Sequence, residues 1–352
     1  MSNYAIYVGV NRKNKDSILR FSFDPGAMQL CFERREAALS GISCMVMQDR
    51  GNLLFASACK QGSGLVASFR LNPSSGTVQR LSQVGCQIGD ISYLSADLVR
   101  CRLYACSYTS GSIACFTFQE DGDIELVGTL SVEGSGPKAE RQDGSHLRCA
   151  IPAPGGNYCL VPDLGAGRVW VLHIEENVMK NIGYWEAWPG MRPRHLAFHP
   201  DGKTAYLLTE LFSQLVVLSW DAEKGHLTHR HTLSSLTDHS AMPSNYPTDI
   251  VVSADGRFVY VSNKGSNDIS CFAWDAVRET LRPQSYIKTL GFTRAIQLSP
   301  DDDWLFALNG EYNSCQGRIQ VYARNPQKGE LYFTGCDVCV PFACHFICTP
   351  LK

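Results

Sequence analysis

No run of basic residues occurs in this 352-residue sequence, and net charge is nearly absent: 32 Lys and Arg stand against 34 Asp and Glu, a formal charge of −2. The electrostatic footprint of a phosphate backbone is therefore missing, and nucleic acid is not an expected partner. No apolar segment reaches about 18 residues, which removes a membrane-spanning helix. The first residues, MSNYAIYVGV, lack a basic region followed by a long apolar stretch and a cleavage site. No secretory signal is read there, and a cytoplasmic location is expected. Sustained 3.6-residue apolar periodicity is also missing, so long helices are not the expected building material. Cysteine is not scarce, but its number, 15, is odd, and many copies sit inside strand-like runs, as at Cys106, Cys115, Cys159 and Cys271. That pattern fits buried thiols in a reducing compartment better than a disulfide framework.

What is abundant is punctuation: 30 glycines and 16 prolines separate short apolar runs. The stretch from Met191 to Asp221 shows the unit most clearly. An apolar run, His195 to Phe198, ends in the turn Pro200-Asp201-Gly202, followed by Ala205 to Thr209 and then Leu215 to Trp220. The turn recurs at Asp255-Gly256 and Asp301-Asp302, and more loosely at Asp49 to Asn52, Asp97 to Arg102 and Pro154 to Asn157. Successive turns lie roughly 46 to 57 residues apart, the spacing of arrays and propellers. Each second run leads through a small-polar loop to a third that ends near an aromatic (LVASFRL, IACFTF, RVWVLHI, LVVLSW, ISCFAW), then to a Gly-containing hairpin and a fourth. Six such repeats are complete. The termini supply a seventh: Tyr4 to Val10, Ile18 to Phe23 and Leu30 to Phe32 read as second, third and fourth strands, and Phe342 to Ile347 as the missing first. Joining them removes the exposed edges of an open array. The expectation is an all-β, seven-bladed β-propeller formed as one domain by residues 1–352.

In such a ring, starts of first strands and ends of second strands share one face near the axis. Counted from the proline or its equivalent before each turn, Arg194, Arg294 and Thr248 stand six residues earlier, and Glu210, Lys264, Asp163 and Asn309 nine or ten later. Polar strand ends are common for structural reasons, but one register shared by several blades predicts a polar ring at one mouth, with Asp249 beside Thr248. Loop tips on a rigid scaffold are where binding and chemistry concentrate. Two polar loops, SVEGSGPKAERQDGSH and LTDHSAMPSNYP, are expected to border the mouth.

RPRHLAFHPDGKTAYLLTEL, with the following Trp220-Asp221, ADGRFVYVSNKGSNDISCF, VPDLGAGRVWVL and the opening YAIYVGVN, resembles the lactonase propeller family. That family includes bacterial-type 6-phosphogluconolactonase and the fungal 3-carboxy-cis,cis-muconate lactonizing enzyme. The resemblance spans nearly the whole chain and is strongest from about Gly144 to Asn309. It implies no metal, no cofactor, and a mouth site of His, Arg, Glu and a second basic residue. Arg194 and Glu210 fall on family positions; Lys264 stands where the family usually has Arg; Asp163 matches the Asp of Asp-Leu-Gly. The family histidine counts to Arg148. Either the turn IPAPGGNY is two residues longer here and His146 is the match, or His146 has moved one pleat along the strand.

The function this implies is hydrolysis of a sugar lactone like 6-phosphogluconolactone by acid–base chemistry, in carbohydrate metabolism. His146 or Glu210 would be the base, with Arg194 catalytic and, together with Lys264, an anion clamp. Arg148, Asp163, Arg294, Asn309 and Asp249 are candidate substrate-binding residues. The partner is a small anionic lactone or sugar acid. The alternatives are a lactonizing cycloisomerase acting on a carboxymuconate-like or sugar-acid substrate, and a non-catalytic scaffold. Trp-Asp occurs only twice, at Trp220-Asp221 and Trp274-Asp275, rather than once per repeat, which speaks against a WD-type scaffold. His195 alternates away from Arg194 and reads as packing between blades, and His199 as structural. Cys336, Cys339, Cys344, His345 and Cys348 have zinc-like spacing but read as packing. His226, His229 and His231 read as solvated residues of an outer hairpin.

Overall fold

The structure, a computed structural model, describes residues 3–11, 18–36, 39–48, 52–60, 62–72, 74–175, 178–237, 244–310 and 317–351. Every regular element among them is a strand, and the strands form seven antiparallel four-stranded sheets. Blades one to six are consecutive, over residues 42–86, 93–131, 151–186, 193–234, 246–288 and 293–339. Blade seven takes its inner strand, Ala343–Pro350, from the C-terminal side and its other three, Tyr4–Val10, Ile18–Asp24 and Gln29–Arg35, from the N-terminal side. Tyr4 pairs with Pro350, Ile6 with Cys348 and Val8 with Phe346, which closes the ring as the termini predict.

Blades stack face to face, so their middle strands are buried on both sides and read as continuous apolar runs rather than alternating ones. Thr204–Thr209 and Gln214–Asp221 of blade four are buried along most of their length, whereas the outer strand His226–Ser234 is mostly half-exposed or exposed. The core is seven apolar wedges, one at each blade interface. One joins Leu160 and Val171 of blade three to Leu207 and Trp220 of blade four; another joins Tyr4 and Phe23 to Phe306 and Val321 across blades six and seven.

The repeated turn has repeated chemistry. In blade four, Asp201 Oδ1 accepts from the backbone N–H of Lys203 (2.8 Å) and Thr204 (2.9 Å), and Gly202 sits at φ 68°. Gly256 plays the same part in blade five at φ 73°, and Asp302 in blade six at φ 62°. The first-repeat turn at Asp49 to Gly51, and residues 238–243 of the loop LTDHSAMPSNYP, lie outside the described residues. The described cysteines are free thiols, as expected of a chain without a disulfide framework, except Cys339, which is disulfide-bonded. Cys336 donates to the Met28 carbonyl and Cys344 to the Ile42 carbonyl. His226, His229 and His231 belong to the outer strand itself rather than to a loop, and His229 packs edge-on against Trp188.

Candidate active site

The inner strands do not enter the mouth as regular strands. Ladder register slips by one residue near their starts in blades one, four, five, six and seven, between Ile42 and Cys44, Pro193 and Leu196, Pro247 and Asp249, Thr293 and Ala295, and Ala343 and His345. Such bulges bend a strand and re-aim its side chains. Arg194 and His195 lie inside the blade-four bulge, Thr248 inside that of blade five and Arg294 inside that of blade six. The chain enters the blade-four bulge through Arg192, at φ 57°, whose carbonyl accepts the Glu210 N–H at 3.0 Å. This bond docks the end of the second strand onto the start of the first.

Arg194 and Glu210 form an ion pair, as antiparallel geometry predicts. Arg194 Nε also donates to the Thr248 carbonyl of the next blade, at 3.0 Å. The other carboxylate oxygen, Oε2, accepts from Arg141 Nη1 at 2.8 Å. Glu210 is 1% exposed. Burial pushes its pKa up, but Arg194, Arg148 and Arg141 outweigh that and hold it below the usual carboxylate range. Arg141 belongs to the loop SVEGSGPKAERQDGSH, which does reach the mouth.

Above this pair opens a cavity of about 570 Å³ lined by Arg141, Arg194, Glu210, Lys264, Phe292 and Arg294, together with Tyr246 and Thr248. Lys264 Nζ lies 4.6 Å from the Phe292 ring centre and the Arg294 guanidinium 5.2 Å from it. Phe292 takes this place because blade six has glycine at the position matching Glu210: a Cβ on Gly310 would stand 2.1 Å from the ring. Of the expected site residues, then, Arg194, Glu210, Lys264 and Arg294 meet in one cavity.

The others are elsewhere. Asp163 is fully buried beneath the mouth. Its Oδ1 accepts from the backbone N–H of His146 (2.7 Å), Gly165 (2.9 Å) and Ala166 (3.0 Å), and its Oδ2 from Trp170 Nε1 (2.9 Å). Asn309 is equally buried, accepting from Thr293 Oγ1 at 2.8 Å and donating to Gln320. Neither residue lines the mouth cavity, and the polar groups of both hold strand ends. The expected ring merges two registers one residue apart. Asp163, Thr209, Asn263 and Asn309 stand nine residues after the turn marker and do not line the cavity, whereas Glu210 and Lys264 stand ten after it and do. Successive strand residues point to opposite sides, so the two sets could not share a surface.

Asp249 lies below the mouth, in a channel cavity of about 310 Å³. Its Oδ2 accepts from the Ile296 N–H at 2.9 Å, and its Oδ1 lies 3.3 Å from His195 Nδ1. His195 lines the same channel, so the bulge overrides the alternation that was to turn it away, although its partner is indeed on the next blade. Arg148 also lines the channel.

His146 does not line the Glu210 cavity. Leu147 pairs with Asp163 as Pro193 pairs with Thr209, so the blade-three turn has the length of its neighbour, and Arg148 occupies the register of Arg194. His146 stands two residues before it, stacked on Tyr108 (ring centres 4.4 Å apart), with Nδ1 2.9 Å from the Tyr108 carbonyl oxygen and Nε2 2.9 Å from Asp143 Oδ1. The Tyr108 phenol is among the groups that, with Glu210, hold the Arg141 pKa up against burial. Arg141, Tyr246 and Phe292 are the cavity residues that sequence reasoning did not name; the long polar loop was the one signal pointing to Arg141.

Among the described residues, the channel mouth of this seven-bladed propeller holds one buried carboxylate among four cations. The chain belongs to the Lactonase, 7-bladed beta-propeller family, whose model matches residues 5–347. It is 28% identical over 345 residues to the 6-phosphogluconolactonase of Bacillus subtilis (strain 168), covering 97% of each chain. Among solved structures it is similar to the Pseudomonas aeruginosa periplasmic gluconolactonase PpgL, with TM-score 0.89, 26% identity and 100% of each chain covered. A Lactobacillus plantarum protein matches with the same TM-score and identity over 99% of each chain.

Proposed function

We propose that this chain is a lactonase opening the ring of a sugar lactone that carries an anionic group, with 6-phosphogluconolactone as the substrate to try first. The observation that carries this reading is the mouth cavity itself, in which, among the described residues, Glu210 is the only carboxylate and Arg141, Arg194, Lys264 and Arg294 surround it. A volume of about 570 Å³ suits a phosphorylated sugar with water. The name of the Bacillus subtilis relative supports the substrate class.

In this mechanism Lys264 and Arg294 take the anionic substituent, and Phe292 gives the sugar ring an apolar wall. Glu210 accepts a proton from a water whose oxygen bonds to the lactone carbonyl carbon, while the carbonyl π pair moves onto oxygen. The free guanidinium edge of Arg194, with Arg141, stabilises that oxyanion. Collapse of the intermediate expels the ring oxygen, which takes the proton back from Glu210 and leaves the open-chain acid. Arg141 links the steps. When it moves from Glu210 to the substrate, the carboxylate loses one of the charges depressing its basicity, so the base strengthens as substrate arrives. Glu210 is chosen over His146 because it borders the cavity, whereas His146 is engaged behind Tyr108 and positions the Arg141 loop.

The test is ring opening of a panel of sugar lactones, with lactone formation from unsaturated diacids assayed beside it. Glu210→Gln is expected to lower kcat by about 10²–10⁴-fold. Lys264→Met is expected to act mainly on KM for phosphorylated substrates. Full activity of folded Glu210→Gln on the best substrate would remove Glu210 from the role of base, and lactone formation as the faster reaction would replace hydrolysis with the lactonizing reading.

A further inference from the structure

Below the mouth, the channel cavity of about 310 Å³ receives a side chain from every blade. Its charges do not balance. Among the described residues that line it, Arg148, Arg194 and Arg294 are cations and Asp249 is the only carboxylate. Arg194 is matched by Glu210 above, and Asp249 faces His195. Among the described residues no carboxylate forms an ion pair with Arg148 or Arg294; the Arg148 guanidinium lies 5.3 Å from the Tyr108 ring centre and that of Arg294 5.2 Å from the Phe292 ring centre. Arg148 Nε and His345 Nδ1 are buried without a hydrogen-bond partner. Buried donors are nearly always satisfied, and a buried cation is tolerated when an anion or a hydrogen-bond network compensates it.

We propose that the upper channel binds a phosphate-sized oxyanion, held between the guanidiniums of Arg148 and Arg294 with the His345 imidazole as a further donor. Three donors arrive from blades three, six and seven, so a tetrahedral anion on the axis is approached from several sides. Guanidinium forks match the oxygen pairs of such an ion. The neighbouring hydroxyls of Ser43, Ser92 and Tyr93 complete a polar wall. Burial, with Arg194 next, lowers the Arg148 pKa to about 10, so its guanidinium stays charged at neutral pH. As a free-ion site it is independent of the lactonase reading; as the seat of a substrate's anionic arm it rests on that reading and shifts the arm from Lys264 to Arg148. Because Arg194 and Arg294 border both cavities, the oxyanion is either a free ion or the anionic arm of a substrate whose ring sits at the mouth.

Titration with inorganic phosphate alone, followed by calorimetry, reads the site without any substrate. Saturable binding is expected in the wild type and in the double variant Arg141→Ala/Lys264→Met, which alters only the mouth. Arg148→Gln is expected to weaken it about tenfold or more. Should Arg148→Gln fold poorly, crystals of the wild type grown with arsenate supply the second measurement: an arsenic anomalous peak in contact with Arg148 and Arg294 is expected. No saturable binding, binding lost in the mouth variant but kept in folded Arg148→Gln, or a peak confined to the mouth would each overturn the proposal. Phosphate that raises KM for a lactone substrate without changing kcat identifies the substrate-arm source, and phosphate that changes neither identifies the free ion; both uphold the site.

Discussion

Glu210 shows how one residue's environment decides its chemistry. Buried alone it would protonate; clamped by Arg194 and Arg141 and faced by Arg148, it stays a carboxylate. Its depressed folded-state pKa has a sign consequence for stability. The stabilisation from this carboxylate is complete above the unfolded value, about 4.3, and disappears as pH falls through the lower folded value. Urea midpoints measured against pH are therefore expected to fall less steeply on the acid side for Glu210→Gln than for the wild type. Parallel acid limbs for the two proteins would show that Glu210 is not held ionised by folding. The same clamp explains why Arg141, a loop residue with a third of its side chain exposed, still belongs to the site.

At the scale of the element, the turn and the bulge divide the work. The Asp-Gly turn sets where the second strand begins, and the bulge sets where the first strand points its side chains. Gly256 is the sharpest test of the turn. Its φ of 73° disfavours any side chain, and a Cβ would stand 2.3 Å from His199 Nε2 of the neighbouring blade. His199 has little room to yield, because its Nδ1 accepts from the Asp201 N–H at 3.1 Å and its ring packs 5.4 Å from Trp274. Gly256→Ala is expected to lose about 1–2 kcal/mol from the left-handed backbone alone, and more from the displaced imidazole. Equilibrium urea unfolding followed by circular dichroism measures it, and an unchanged midpoint would mean the turn relaxes freely. Strand periodicity made the second-strand runs plain in the sequence. The bulges left no sequence mark, so the directions of Arg194, His195 and Arg294 could not be read from alternation alone.

The whole molecule depends on a closure made between distant ends of the chain. Ala343–Pro350 pairs with Tyr4–Val10, and Phe346 and Cys348 enter the wedge that also holds Tyr4, Phe23 and Phe306. Deleting residues 343–352 strips the inner strand from blade seven, opens a hydrogen-bonding edge on Tyr4–Val10 and uncovers two interfaces at once. Loss of cooperative unfolding and association into larger species are expected, read by urea denaturation and size-exclusion chromatography. A monomer unfolding at the wild-type midpoint would show that six closed blades suffice. No helix among the described residues is long and apolar enough to cross a membrane.

Repeat spacing, turn chemistry and the incomplete blade at each end determined the ring without any structure, because a strand that cannot bury its faces alone must stack on copies of itself. The pairing of Arg194 with Glu210 was equally legible, since it needs only one hairpin. What the sequence could not decide was which polar residues near the axis point into the mouth, which hold the strand ends, and which drop into the channel. Asp163 and Asn309 differ from Glu210 by a single step of register, His195 is turned by a bulge, and Arg141 arrives from a loop in another blade. Those choices depend on where side chains a few ångströms apart end up, and only the packed ring sets such distances.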